Sequence, residues 1–378
     1  RNADPFLQGE VRRTDGDLQR ANTELSGLRN IESALEQSGI FTSIVEFEAS
    51  LQQLAGDPSD PSRRAAVLAE AQTMASKFQI TAAGLDSAGD GLRFDANAQV
   101  EEANIIGGEL ARVNLRLTRA GSGSSDRAAL LDQRDQLLER LAGFSSVNAS
   151  FASDGTVAVS LGSTPARSFV DGGASSVLSS IQGGDGTLTF AVDGQATNPG
   201  SGSLAGAGLA LTALATTRER LDTLAKGLAD TVNAAQAAGV GNNGSPGAPL
   251  FEGATAATLK VALASGEGIA TAPAGAGPGS RDATNLANLR AALATENPAQ
   301  KLSSLLFDVS SSVAGRNVTQ SALETIASSA RISLEQQSSV NLDTEATNLI
   351  RFQQAFQASG RAMQAASDIF DTLLGIGR

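Results

Sequence analysis

Apolar side chains recur at seven-residue intervals through the C-terminal segment from Val340 to Arg378, and no proline interrupts them. The repeated positions are Leu342, Leu349, Phe356, Met363 and Phe370, and Phe352, Ala366 and Leu373 fill the adjacent stripe. We refer to Leu342, Leu349, Phe352, Phe356, Met363, Phe370, Leu373 and Leu374 as the terminal stripe. A seven-residue apolar repeat is the seam of a coiled coil, which needs a partner helix. That partner is either another helix of the same chain or a helix of another molecule.

Helical periodicity extends through most of the remaining chain. Helices are predicted at about 4–37, 42–54, 61–119, 126–143, 206–238, 285–293 and 299–337. The helix from Pro61 to Arg119 is far longer than a typical globular helix, and its predicted apolar positions include Phe78, Leu92 and Ile105. Such length indicates rod-like packing, although the five glycines between residues 84 and 108 mark places where the helix could bend or break.

The apolar period changes from helical to alternating between residues 144 and 203. Strands are predicted on either side of an Asp154-Gly155 hairpin turn, and the strand and turn pattern continues to about Pro199. The predicted fold class is mainly α with small inserted β-domains, in which both ends of the chain form a long-helix rod or coiled-coil bundle. The predicted division is a helical rod domain in three parts (1–143, 204–248 and 285–339), an inserted β-domain (144–203), a small β or loop substructure (249–284) and a C-terminal coiled-coil assembly helix (340–378).

The composition argues against an ordinary enzyme. The chain has no His, Cys, Trp or Tyr, which removes the commonest general base, the thiol nucleophile and the soft metal ligands. No calcium-binding loop and no phosphate-binding loop with a Gly-Lys-Ser or Gly-Lys-Thr sequence is found. We therefore predict no catalytic residues, no cofactor and no metal site.

The charge argues against nucleic acid as a partner. Forty acidic and 28 basic side chains give a formal charge of −12, which repels a phosphate backbone, and no basic cluster offsets it. No apolar run is long enough to span a bilayer, so no membrane insertion is predicted.

The helix predicted at 126–143 combines a proposed N-cap, Asp126, with the charged residues Asp132, Arg134 and Asp135. We interpret these three as a solvated helix face with ion pairs worth a few tenths of a kcal/mol each. A catalytic role is not supported, because no histidine or thiol stands beside them.

Three phrases near the C-terminus closely resemble the signature of flagellar axial proteins. They are Val-Asn-Leu-Asp-Thr-Glu-Ala at 340–346, Asn-Leu-Ile-Arg-Phe-Gln-Gln-Ala-Phe-Gln-Ala-Ser at 348–359, and Ile-Phe-Asp-Thr-Leu-Leu at 369–374. A second string, Leu-Leu-Asp-Gln-Arg-Asp-Gln-Leu-Leu at 130–138, is similar to one that precedes the β-domain in the hook-associated protein 1 family. Two matches in order and far apart identify the chain as resembling that family.

The resemblance implies a structural role at the hook-filament junction of the bacterial flagellum, with terminal helices packed in a tube and inserted domains projecting outward. The partners implied are copies of the chain itself, the hook protein, a second hook-filament junction protein and an export chaperone that binds the C-terminal helix. The implied location is extracellular, reached by type III export without a cleavable signal peptide. We find no counterpart of the family's N-terminal helix before Asp4-Pro5, so we expect the sequence to be a piece of a longer protein.

Three alternatives stay open at this point. The chain could be another axial protein, such as a rod, hook or filament subunit. It could be a coiled-coil binding module or adhesin without a flagellar role. It could be a secreted glycan hydrolase, but acid pairs such as Glu101-Glu102 lie in a helical run where adjacent side chains point apart.

Overall fold

The computed structural model describes residues 4–121, 124–338, 347 and 349–364. Residues 12–327 belong to one compact unit, and the described residues outside that range belong to a second. The helices are α1 (Pro5–Glu36), α2 (Ile40–Gly56), α3 (Pro61–Leu117), α4 (Ser125–Ala142), α5 (Gly202–Ala237), α6 (Thr284–Glu296) and α7 (Pro298–Ser338). Residues 349–364 are also helical. A mainly helical fold with small inserted sheets is thus confirmed, whereas the proposed domain boundaries stay predictions.

Helix α3 runs for 57 residues without a break, so the glycines do not interrupt it. Its start is fixed by Asp60, whose side chain accepts hydrogen bonds from the first-turn backbone N–H groups, and by Pro61 in the first turn. Two of the glycines permit close packing instead. A Cβ on Gly89 would lie 2.7 Å from Leu214, and one on Gly107 would lie 2.7 Å from the ring of Phe169.

The main core lies along α3, which packs against α2, α4 and α5. The apolar face predicted for the first helix comprises Leu18, Leu25, Leu28, Ile31 and Leu35, of which the last four are buried in α1 and Leu18 is half-buried. The buried core also includes Phe47, Val67, Met74, Phe78, Leu85, Leu92, Leu138, Leu211, Leu221, Leu228, Phe251, Leu289 and Leu302. At this size the buried apolar surface is sufficient to hold a domain together without disulfides.

The strands are β1 (Val147–Phe151), β2 (Val157–Leu161), β3 (Arg167–Asp171), β4 (Ala174–Ser175), β5 (Leu178–Gln182), β6 (Leu188–Val192), β7 (Gln195–Thr197), β8 (Gly239–Val240), β9 (Phe251–Glu252), β10 (Lys260–Val261) and β11 (Ala272–Pro273). Strands β1 to β4 form one antiparallel sheet in sequence order, and β5 to β7 form another. The predicted hairpin at Asp154-Gly155 joins β1 to β2, with Val147 opposite Leu161 and Gly155 at a φ of 85°. The left-handed backbone explains why glycine occupies this turn.

Asparagine side chains on the long helices pair with strand backbone. The amide of Asn114 donates to Val157 O (2.8 Å) and its oxygen accepts from Val157 N (2.9 Å). Asn104 makes the same two bonds with Leu178. The NH2 group and the oxygen of an amide side chain lie side by side, so they can bond to the C=O and the N–H of one strand residue, and the second N–H of Asn114 also donates to Gly172 O (2.8 Å). These contacts hold the β insert against α3.

Arg64, near the start of α3, is buried and binds the segment that follows α5. Its Nε donates to Pro58 O (2.6 Å), its Nη1 to Ile269 O (2.7 Å) and its Nη2 to Thr271 Oγ1 (2.7 Å). Burial lowers the pKa of Arg64, and the charge of Glu267 opposes that shift. A guanidinium surrounded by neutral acceptors therefore joins parts of the chain that are about two hundred residues apart.

Acid should destabilise the turns at Asp154, Asp185 and Asp282. Each carboxylate accepts from the hydroxyl and the backbone N–H of the threonine two residues later, and these bonds lower its pKa from 3.8. Because the folded pKa is the lower one, the stabilisation is present above pH 3.8 and is lost as the pH falls through the folded value. We expect the melting temperature to decrease as the pH is lowered below about 4.

Thermal unfolding followed by circular dichroism between about pH 5 and about pH 2.5 measures this dependence. A triple variant with asparagine at the three positions keeps an acceptor oxygen but has no charge to lose, so it should show a flatter acid limb. An identical limb in the two proteins would contradict the assignment.

Candidate assembly surface

Four members of the terminal stripe lie in the described helix at 349–364, and all four are exposed. Leu349, Phe352, Phe356 and Met363 have between 61% and 82% of their surface accessible. The other members, Leu342, Phe370, Leu373 and Leu374, lie outside the described residues, as does Ala366. The neighbouring Ile350 is also exposed, although the seven-residue repeat does not include it.

The four described members of the terminal stripe share one helical face, although every residue from 349 to 364 is exposed. Leu349, Phe356 and Met363 are seven residues apart, which is nearly two turns and about 10 Å of helix, and Phe352 lies between them on the same side. Fully burying side chains of this kind contributes roughly 1.5–3 kcal/mol each. Within the part of the chain that the structure describes this face is exposed to water, and a coiled-coil seam needs a partner that covers it.

The terminal segment is close to neutral, unlike the whole chain with its formal charge of −12. Arg351 and Arg361 lie within 349–364, and Asp343, Glu345, Asp368 and Asp371 lie in the sequence on either side. Association through this segment would therefore depend on burial of the apolar face and not on attraction between charges.

The interpretation of Arg134 and Asp135 as part of a solvated face is wrong. Arg134 is buried, bonds to Asp135 Oδ1 (2.6 Å) and Gly155 O (2.7 Å), and lies 4.6 Å above the ring of Phe151. The fold of the β1–β2 hairpin over α4 removes most of both side chains from water. The pair therefore holds the β1–β2 hairpin against α4. The Leu-rich string at 130–138 thus contributes to the packing between these two elements.

Two further sequence predictions need correction. Ser124, not Asp126, caps α4, since its side chain accepts from Arg127 N, and Asp126 lies in the first turn. Ile105, predicted among the apolar packing positions of α3, is 60% exposed, and its neighbour Ile106 is buried instead. Many contacts along α3 together determine which side of the helix is buried, so a single apolar residue can lie outside the buried side.

A groove of about 790 Å³ lies between α3, α5 and the β5–β6 turn. It is lined by charged side chains of both signs, and Arg218 bonds to Asp86 across it. Opposite charges that already neutralise each other do not form a nucleophile with an activating base. Among the described residues, no group of three or more acidic side chains is placed to hold a metal ion. Within the same residues, every helix is too short or too polar to cross a membrane.

Comparison with known proteins gives consistent results. The family described as flagellar hook-associated protein FlgK helical domain matches residues 25–251, and the family described as flagellar basal body rod FlgEFG protein C-terminal matches residues 334–376. Flagellar hook-associated protein 1 of Bacillus subtilis is 24% identical over 99% of this chain and 84% of that protein. Its Escherichia coli counterpart is 27% identical over 66% of this chain, and the matched part is 48% of that protein.

A solved structure gives a similar result at the level of the fold. The flagellar hook junction protein FlgK of Burkholderia pseudomallei superimposes with a TM-score of 0.57 and 25% identity. The match covers 65% of this chain and 46% of that protein, so the chain spans about half the length of this relative. Because the helical-domain match covers more than half of the chain and the fold agrees, the chain belongs to the FlgK family of flagellar hook-associated proteins.

Proposed function

We propose that this chain is a structural, non-catalytic subunit of the junction between the hook and the filament of a bacterial flagellum. The observation that carries the proposal is the row of exposed apolar side chains at Leu349, Phe352, Phe356 and Met363 in a member of this family. Exposure of a row of apolar side chains to water is unfavourable in free energy. The row therefore indicates a surface that is covered in the assembled state.

The mechanism is packing of terminal helices from neighbouring subunits. Burial of the four described side chains contributes on the order of 6–12 kcal/mol, from which ordering and association costs of similar size are subtracted. A single pair of helices is therefore only marginally stable, and many equivalent contacts in an open helical array stabilise one another. Such an array forms when subunits are delivered to its growing end and does not form in dilute solution.

We infer that the terminal stripe also contacts the other proposed partners. Copies of the chain, the hook protein and a second junction protein would contact it in the assembled flagellum, and an export chaperone would cover the terminal helix beforehand. A chaperone that covers the terminal stripe would keep it from associating early. The proposed location is outside the cell, as part of the flagellum.

Deletion of the gene tests the role at the junction. We expect cells of the source bacterium to keep hooks, to lack filaments and to release filament protein into the medium. Electron microscopy of the cell surface and an immunoblot of the medium measure these outcomes, with a complemented strain as the control. Filaments attached normally in the deletion strain would overturn the proposal.

A rod or hook subunit is the second candidate, because residues 334–376 match the C-terminal family of rod proteins. The same micrographs distinguish the two. Loss of a rod or hook subunit would remove the hook itself, whereas loss of a junction subunit would leave hooks in place. The helical-domain match at 25–251 favours the junction.

A further inference from the structure

Strand β1 lies at an edge of its sheet. The strand order is β1-β2-β3-β4, so β1 has a neighbouring strand on one side only. The bond from Ala152 N to Thr156 O (2.9 Å) continues the β1–β2 ladder and shows that the even-numbered residues of β1 bond to β2. The backbone N–H and C=O groups of Val147, Ala149 and Phe151 therefore point away from β2, toward the outside of the sheet.

This edge is unpaired and unprotected. Within the part of the chain that the structure describes, these outward backbone groups of Val147, Ala149 and Phe151 have no hydrogen-bond partner. Asn148, Ser150 and Phe151 are exposed, and the other two residues of the strand are half-buried. Proteins usually protect such an edge with a charged side chain, a proline or a bulge, but β1 contains none of these and pairs with β2 in regular register.

The other edge strands among the described residues are short or covered. Strands β4 and β8 to β11 have two residues each. Strand β5 lies against α3, whose Asn104 bonds to both the N–H and the C=O of Leu178. On β7, Ala196 O accepts from Arg167 Nε (3.1 Å). Of the described edges, β1 is therefore the one at which a further strand of ordinary length can be added.

A second β1 strand complements this edge. When two β1 strands run antiparallel with Ala149 opposite Ala149, Val147 lies opposite Phe151 and Asn148 lies opposite Ser150. Aromatic and β-branched side chains form favourable cross-strand pairs, and so do polar side chains that can hydrogen-bond. In this register each copy donates three backbone bonds and accepts three, which satisfies all the outward groups of both strands. Any other antiparallel register leaves some of these groups unpaired.

The contact brings no like charges together within the sheet. β1 has no charged residue, and the positions of β2 on the same solvent-facing side, Ala158 and Ser160, are also uncharged. Arg134, which lies over Phe151, is already paired with Asp135 (2.6 Å). The occupant of the edge is thus selected by the alternation of apolar and polar side chains and by the register, and a second copy provides both.

We propose that two copies of the free chain pair through β1, as an antiparallel dimer whose two-fold axis passes between the two Ala149 residues. The two four-stranded sheets then form one continuous sheet. Such an isologous contact closes after two copies, whereas an open array needs contacts that continue. The dimer is therefore a form of the subunit before assembly, and it is separate from the function proposed above. It covers an edge that would otherwise accept other extended chains.

Sedimentation equilibrium of the purified chain measures the dimer. One strand edge is far smaller than the roughly 800 Å² per partner of a standard stable interface, so we expect dimers at concentrations on the order of 100 μM. The measurement uses the chain with Phe356→Glu and Met363→Glu, so that the terminal stripe does not contribute. A chain that stays monomeric up to about 1 mM would overturn the proposal.

Charges at the exposed positions 148 and 150 test the register. Asn148→Lys with Ser150→Lys places lysine opposite lysine and should raise the dissociation constant about tenfold or more. Asn148→Lys with Ser150→Glu places each lysine opposite a glutamate of the other copy and should restore the dimer. Both variants lose the bond from Asn148 Nδ2 to Gly162 O, so they are matched in this respect. The lysine pair makes the chain less negative, so its effect does not come from overall repulsion. Equal dissociation constants would overturn the proposal.

Disulfide formation tests the same register independently, because the chain has no native cysteine. Residues 148 and 150 of the two copies form a non-hydrogen-bonded pair, in which the Cα atoms lie about 4.5 Å apart, within the range of a disulfide. A mixture of the Asn148→Cys chain and the Ser150→Cys chain is oxidised and separated on a denaturing gel. We expect linked dimers from the mixture and far fewer from either chain alone. Equal amounts in all three samples would contradict the pairing of the two β1 strands.

Discussion

Replacement of Phe356 and Met363 by glutamate is expected to abolish filament attachment. The two side chains lie on the same face of the terminal helix and are largely exposed in the isolated chain. Burial of both contributes roughly 3–6 kcal/mol per subunit, and a buried unpaired carboxylate adds a further cost. The loss repeats at every subunit of the array, so assembly at the junction should fail completely. Swimming in soft agar and electron microscopy of the cells measure the result.

The control for this experiment is Ile181→Glu, which makes the same change at an exposed apolar position of β5. It should leave motility normal. Phe356→Leu keeps an apolar side chain and should retain most of it. An immunoblot of the medium checks that each variant is exported. Cells with the double glutamate variant that swim with normal filaments would refute the proposed role of the terminal stripe.

Replacement of Arg64 by methionine is expected to cost about 3 kcal/mol of folding free energy or more, because several buried acceptors lose their donor at once. Methionine fills much of the volume but leaves Pro58 O, Ile269 O and Thr271 Oγ1 without the bonds that the guanidinium makes. Relief of the buried charge offsets part of that loss, so the total is smaller than the sum of the separate bonds. Urea unfolding followed by circular dichroism measures the change.

Arg63→Met is the matched control, because Arg63 is the preceding residue of the same helix and is exposed. Its ion pair with Asp60 (3.7 Å) and its hydrogen bond from Nη1 to Gln53 O (2.6 Å) are both exposed to water, where such contacts contribute about 0–1 kcal/mol each. The control should therefore shift the urea midpoint much less. Equal shifts in the two variants would show that the buried bonds of Arg64 are not the source of stability.

The helices could be predicted from the sequence because their signals are local. The prediction of a helix at 61–119 used a proline in the first turn, an acidic cap and an apolar residue at each turn. The structure has this helix at Pro61–Leu117, which agrees to within two residues. The Asp-Gly turn at Asp154 likewise gave the first hairpin. Both features depend on residues that lie next to one another in the chain.

The contacts between elements could not be predicted in the same way. Arg134 carries the sequence pattern of a surface arginine, yet the fold buries it under Phe151. Asn104 and Asn114 carry no distinguishing pattern, yet each pairs with a strand more than forty residues away. Whether the terminal stripe forms the proposed interface stays a prediction, although the exposure of its described members supports it.

The sequence by itself determined the helical content, the position of the β insert, the absence of thiol and imidazole chemistry and the likeness to flagellar axial proteins. These follow from periodicity, turn residues and composition, which act over a few residues. Only the tertiary structure decided which polar groups became buried contacts between elements, and which apolar residues stayed exposed on α3, α7 and the terminal helix. That division arises because burial depends on what the rest of the chain brings to a residue, and a local pattern does not contain that information.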